Sequence, residues 1–326
     1  MFAVAAPSGA EASAMSKAVR LAAKLDAELE LFHCVFDADV ARPGRFGSRG
    51  VEADIREIVD QRHRQLEYTA ERLRAQGIRV RCSVRWDYPT HEGIVRQVLR
   101  HEPDLLIVQS RRRGAAARRL LTQTDFKLIE TCPRPLLLIK TARPYSDVFT
   151  IAAVDPLQTH KKPAALDDAI VDSAAVVTKA LSGKLLLFHA CTPWEDIVRA
   201  TPSLRRLPEV EQPDAQSAYR ESVNVRVREL ARRHGVPKGR TRVTEGRVTE
   251  SLPQLVHAEA ADIVAMGAVS RSLLKRAMIG HTAERLLDLL DCDVLITKPP
   301  GFRSPVSSRS AHRIHRGGVR PGRYIL

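Results

Sequence analysis

Short apolar runs alternate with longer amphipathic stretches along the whole chain. The first run, "FAVAAP" (Phe2 to Pro7), is followed by a loop and then by apolar residues at Ala14, Ala18, Leu21 and Leu25, the i, i+4, i+7, i+11 spacing of one buried helical stripe. The run "LELFHCV" comes next. The second half repeats the pattern with "IAAVDP" (Ile151 to Pro156), a stripe at Ile170, Ala174, Val177 and Leu181, and "LLLFHAC". One step of 156 residues carries Ala14 to Ile170 and Phe32 to Phe188, so helix and strand are repeated without a gap between them.

The repeat continues through "PDLLIVQS" and "ADIVAMGA", then "CPRPLLLIK" and "CDVLITKP". Between these runs each half holds a polar connection, a helix (about 52–76 and 214–234), a short strand (about 78–85 and 240–245) and a further helix. Gly235 and Pro237 punctuate the end of the long helix in the second half. Each half therefore reads β-α-β-α-β-α-β-α-β. Strands that are apolar throughout, alternating with amphipathic helices, predict an α/β fold: two tandem, doubly wound, open parallel sheets of five strands, Rossmann-like in architecture. Ligands of such sheets bind beyond the carboxyl ends of the strands, where the strand order reverses. That rule points to Asp155, just after the first strand of the second half, and to the loop that starts at Gly267.

A length of 326 residues suits two domains, and the boundaries expected are 1–142, 148–300 and a tail at 301–326. Apolar runs of five to eight residues are too short for a membrane span, and no export signal opens the chain, so the expected compartment is the cytoplasm. Five widely spaced cysteines, without a C-x-x-C pair or a metal-ligand cluster, predict reduced and mostly buried thiols. The net charge of +14 is uneven: the tail carries six arginines and no acid, and its Gly, Pro and Ser content predicts disorder. Such a tail can touch nucleic acid through charge, or simply be solvated.

The candidate chemistry lies in the second half. Gly267 is followed by Ser270, and nine residues later by Gly280, His281 and Thr282. Glycine lets a phosphate approach backbone N–H groups, and the helix beginning near Gly280 presents unpaired N–H groups and a favourable dipole. Arg271, Lys275 and Arg276 lie between. The same residues also read as a plain connection, with Gly280 in a turn and Thr282 as a helix N-cap. Both readings stand on spacing alone.

At these residues the chain resembles the universal stress protein family, in its tandem form and over almost the whole length. Nucleotide-binding members carry a loop of Gly, two residues, Gly, nine residues, Gly and then Ser or Thr, with a carboxylate at the end of the first strand. The resemblance implies ATP or AMP in the second half, with Asp155 at the adenine end and Gly267, Ser270, Gly280, His281 and Thr282 around ribose and phosphates. Ser270 replaces the middle glycine and His281 the small hydroxyl residue. In the first half Ala6, Gln109 and Thr122 stand at the positions of Asp155, Gly267 and Gly280, so that half is expected to be a degenerate scaffold; its loop carries Arg111, Arg112, Arg113, Arg118 and Arg119.

His33 and His189 occupy equivalent strand ends, yet no nucleophile or partner set accompanies them, and there is no Walker loop or Gly-x-Ser-x-Gly elbow. The expectation is a protein without catalytic residues or metal, and the family resemblance implies a stress-response factor for survival under growth arrest, oxidative stress or DNA damage. The alternatives are a nucleotide-independent scaffold for another small ligand or a protein partner, and a weak nucleic-acid binder through the tail. A pseudo-twofold monomer or a dimer is expected.

Overall fold

A computed structural model of the chain describes residues 2–4, 12–41, 48–110, 121–157, 165–208, 210–268 and 280–309. Contacts divide the chain into two compact units, Met1–Pro144 with Phe302–Leu326, and Tyr145–Gly301.

Unit 1 runs β1 (Phe2–Val4), α1 (Ala12–Leu25), β2 (Leu29–Val35), α2 (Ser48–Arg74), β3 (Val80–Trp86), α3 (Thr90–His101), β4 (Leu106–Gln109), α4 (Gln123–Thr131) and β5 (Leu136–Ile139). Its strands lie parallel in the order β3-β2-β1-β4-β5, with Phe32 opposite Val4 and Val108 opposite both Val4 and Leu138. Leu29, Leu31, Phe32, Leu106, Ile107 and Leu136 to Ile139 are buried, as strands covered on both faces require. Each such side chain removed from water contributes about 1.5–3 kcal/mol. The α1 stripe is buried at Ala14, Ala18 and Leu21, whereas Leu25, its expected fourth member, is exposed. Leu25 is the last helical residue, and Asp26 turns the chain away with φ of 46°.

Glu30, Asp87 and Asp125 are carboxylates buried inside this unit. Glu30 of β2 accepts hydrogen bonds from Ser83 Oγ (2.6 Å), Gln97 Nε2 (2.7 Å) and Arg81 Nη2 (3.1 Å), which offset its loss of water. The bonds tie β2 to β3 and α3.

Unit 2 repeats the plan with β6 (Phe149–Ala153), α5 (Ala165–Ala180), β7 (Lys184–Cys191), α8 (Gln212–Arg233), β8 (Thr241–Glu245), α9 (Val248–Ala258), β9 (Ile263–Gly267), α10 (His281–Leu289) and β10 (Asp293–Thr297). Two short helices, α6 (Trp194–Ala200) and α7 (Pro202–Arg205), occupy what the pattern presented as a polar connection. Prolines begin both, Pro193 as the N-cap of α6 and Pro202 as the first residue of α7. The parallel order is β10-β9-β6-β7-β8, so the order reverses between β6 and β9. Ile170, Ala174, Val177 and Leu181 are all buried along α5.

The tail expected to be disordered from 301 begins with residues that pack on unit 1: Arg96 Nε donates to Ser307 O at 3.2 Å. A buried arginine that already binds Asp87 (2.7 Å) has further N–H groups to satisfy, and this carbonyl takes one. Residues 310–326, and with them four of the six tail arginines, lie outside the described residues. All five cysteines are free; Cys82 is half-buried and the others are buried. Among the described residues no helix is long and apolar enough to cross a membrane, and no group of three or more His, Cys, Asp or Glu is arranged for a metal ion.

Candidate functional site at the carboxyl edge of unit 2

The strand reversal brings the end of β6 beside the end of β9, with Ala153 in register with Met266. Asp155 and Gly267 therefore flank the same crevice. Asp155 is anchored through its backbone: its N–H donates to Asp167 Oδ1 at 2.9 Å, and Asp167 sits buried in the first turn of α5. The Asp155 side chain keeps 19% of its surface exposed, enough to meet a ligand.

His189, at the end of β7, backs this carboxylate. Its Nδ1 lies 3.0 Å from Val154 O and 4.0 Å from Asp155 Oδ1, and the ring is almost fully buried. A carbonyl only accepts, so Nδ1 carries the proton. The ring thus braces the strand end that presents Asp155.

Gly267 has a packing reason. A Cβ there would lie 2.8 Å from Leu166 Cδ2 and 3.3 Å from Ile170 Cδ1. The missing side chain lets the first turn of α5 lie against the end of β9, and so holds Asp167 within reach of Asp155 N. Thr297, in register with Gly267, has its hydroxyl buried without a hydrogen-bond partner among the described residues. Lys298 follows, donating through Nζ to Ala268 O at 2.8 Å.

The helix on this edge is α10. Its N-cap is Gly280, in extended conformation (φ −66°, ψ 138°) and with no side-chain capping bond. The first intrahelical bond runs from Glu284 N to Gly280 O at 3.0 Å, so the N–H groups of residues 281 to 283 precede it. Thr282 is not the N-cap; it lies inside the first turn and is exposed. Ser270 and the His281 side chain lie outside the described residues, as do Arg271, Lys275 and Arg276.

Unit 1 fills the same place with its own groups. Thr122, the N-cap of α4, accepts from Asp125 N at 3.2 Å, and Asp125 Oδ2 accepts from Thr122 N at 2.9 Å and from Ser110 Oγ at 3.0 Å. This is a complete capping box, with a carboxylate seated where a helix N-terminus favours an anion. Gln109, at the position of Gly267, turns its amide inward: Oε1 accepts from Ala14 N at 3.1 Å and Nε2 donates to Ile139 O at 2.9 Å. The equivalents in unit 2 are Gly280, Ala283, Ala268 and Gly267, none of which has a side chain able to do this. Ala6 and the arginine run at 111–119 lie outside the described residues.

Of the six residues singled out in the sequence, the structure brings Asp155 and Gly267 to one crevice and sets Gly280, His281 and Thr282 at the start of α10. Asp167, Leu166, His189 and Lys298 pack on or bond to these strand ends, and no spacing rule finds them. Only the two acids in the first turn of α5, Asp167 and Asp168, hinted at a role there.

The sequence pattern of the universal stress protein family matches residues 1–140 and 155–298. Universal stress protein E of Escherichia coli K12 is 23% identical over 306 residues, covering 94% of this chain and 96% of the relative. The universal stress protein E homolog of Haemophilus influenzae is 20% identical over 297 residues, covering 90% and 95%. Among solved structures, a functionally unknown protein from Pseudomonas aeruginosa PAO1 superposes with a TM-score of 0.68 at 24% identity, over 91% of this chain and 92% of that one. A universal stress protein from Archaeoglobus fulgidus gives 0.60 at 13% identity, over 91% and 97%. These two likenesses concern the fold.

Proposed function

The chain belongs to the universal stress protein family, and from that premise we propose that it is a cytoplasmic, non-catalytic stress-response factor whose second unit binds ATP or AMP. One contrast carries the reading. In unit 1 the helix N-terminus at the sheet edge is closed by Asp125 and Thr122, whereas in unit 2 the corresponding start of α10 has Gly280 and Ala283 and no side-chain cap. An anion supplied by a ligand suits such an end, because N–H groups without intrahelical partners and the helix dipole both favour it. Asp155, on the opposite side of the crevice, is the acceptor for the exocyclic amine of adenine. Survival under growth arrest, oxidative stress or DNA damage is the cellular role proposed.

The test begins with freshly purified protein, denatured and searched for released nucleotide by mass spectrometry, beside the Asp155→Ala variant. Near-stoichiometric ATP or AMP that disappears in the variant is the expected result. Absence of nucleotide, together with no binding of added ATP, would sink it. A second reading has one observation in its favour: the place of a Cβ at Gly267 is already taken by Leu166, so that glycine is required by packing whether or not a phosphate approaches. On that reading the edge is a nucleotide-independent scaffold for another small ligand or a protein partner. Nucleic-acid binding through the basic tail predicts instead an affinity that falls steeply with salt and vanishes on deleting 301–326.

A further inference from the structure

Unit 1 has a second concave place, remote from the self-capped α4. It is a cleft of about 400 Å³ between α2 and α3, over the carboxyl end of β3, and the segment after Phe302 contributes Ser308 and Arg309 to its wall. Five arginines line it: Arg56, Arg85, Arg96, Arg100 and Arg309. Two acids, Asp60 and Asp87, line it with them, and Glu92 and Glu52 pair with Arg96 and Arg56 from just outside the lining.

These cations are not equivalent. Arg96 is buried and committed to Asp87, Glu92 and Ser307 O, so it holds the wall together. Arg100 is oriented by Gln97 Oε1, which accepts from its Nη1 at 2.7 Å. Arg56 lies 3.6 Å from Glu52, one turn earlier on an exposed helix face, a pair worth little in water. Among the described residues no carboxylate pairs with Arg85 or Arg309. Trp86 forms part of the lining and is kept in place by Phe36, with ring centres 5.5 Å apart.

Like charges held around one concavity repel. A bound anion offsets that repulsion, and guanidinium forks match phosphate oxygens two at a time. We infer that the α2–α3 cleft of unit 1 is a binding site for a small phosphate-bearing anion, held by Arg56, Arg85, Arg100 and Arg309. Arg85 and Arg309, neither of which pairs with a carboxylate among the described residues, supply the charge that a phosphate group would neutralise. The cleft volume lies within the range of small-molecule sites, roughly 300–1,000 Å³, and a segment of this same chain bounds it, so the occupant is a small molecule rather than a polymer. The site uses none of the residues assigned to the nucleotide in unit 2, and it gives Ser308 and Arg309 of the basic extension a place in a binding surface.

Tripolyphosphate is the probe. The chain has two tryptophans, Trp86 in the cleft and Trp194 in unit 2, so a Trp194→Phe background makes Trp86 the reporter. Titration is expected to change its emission saturably, with half-saturation below about 1 mM. Arg85→Gln with Arg309→Gln, both exposed positions, is expected to raise the half-saturating concentration about tenfold or more. Arg226→Gln with Arg228→Gln removes the same charge from the exposed face of α8 and is expected to leave it within about twofold. Calorimetric titration of the chain with both tryptophans intact should reproduce that order. No saturable response, or equal weakening by the two double variants, overturns the site.

Discussion

Gln109 stands at the end of β4 with its side-chain oxygen 3.1 Å from the backbone nitrogen of Ala14, so that a strand residue caps the helix that follows β1. The equivalent residue of unit 2 is Gly267, against which Leu166 packs instead. One substitution thus separates a sheet edge sealed by its own amide from one left as a crevice.

Gln109→Ala removes the acceptor for Ala14 N and the donor to Ile139 O together. The expected loss of stability is about 1 kcal/mol, the usual worth of a helix cap or one net hydrogen bond. It should appear as a lower urea midpoint with an unchanged slope. An unchanged midpoint would mean that water replaces the amide without cost.

Gly267→Ala places a methyl where Leu166 Cδ2 is only 2.8 Å away. Overpacking of this kind costs about 1–3 kcal/mol. Combining it with Leu166→Ala should be less harmful than the sum of the two single changes, because the truncated leucine makes room. Strict additivity in urea melts would contradict the contact.

Asp168 links α5 to the end of α8, accepting from Arg233 Nη2 at 2.8 Å and His234 Nε2 at 2.7 Å. Burial alone raises its pKa, but the hydrogen bonds and charges of Arg233 and His234 outweigh burial and hold the carboxyl below its ordinary value. A depressed carboxyl contributes stability that is present above its unfolded pKa, about 3.9, and is lost as pH falls through the folded one. Asp168→Asn should therefore melt below the parent at pH 6, and the gap should close as pH drops below about 4. The side chain is partly exposed, so the gap is small and shrinks in high salt.

Thiol chemistry separates the folded from the unfolded chain. Burial first, then the Asp87 carboxylate, pushes the Cys34 thiol up to about 12, and burial with Glu67 does the same to Cys82. At pH 8 a thiol of that kind is thiolate for only about one molecule in ten thousand. Native protein should release almost no thionitrobenzoate from Ellman's reagent at these two positions, and denatured protein should release five equivalents in all. Rapid native labelling of Cys82, the half-buried one, would show that its surroundings do not suppress the thiolate.

Much of the architecture was legible along the chain. Apolar runs buried on both faces, the stripe from Ile170 to Leu181 and the 156-residue step from Phe32 to Phe188 express local periodicity and duplication, which one dimension records. That Ala6 and Gln109 stand where the second half has Asp155 and Gly267 was visible in the same way. Periodicity misjudged Leu25, because a stripe does not say where the helix ends relative to the sheet.

What only the tertiary structure decided were the contacts between residues far apart in the chain. Asp167 reaches Asp155 N because a missing Cβ at Gly267, a hundred residues later, lets α5 approach. Asp125 closes the helix end of unit 1 because Thr122 and Ser110 converge on one carboxylate. Arg309 joins Arg56 and Arg85 around one cleft although more than two hundred residues separate them. By itself the amino-acid sequence determined the strands and helices that form twice, though not α6 and α7, since the repeated elements depend on the spacing of neighbours. Which groups meet at the sheet edges was decided by strand order and by the close approach of packed helices, which bring distant side chains within hydrogen-bond range.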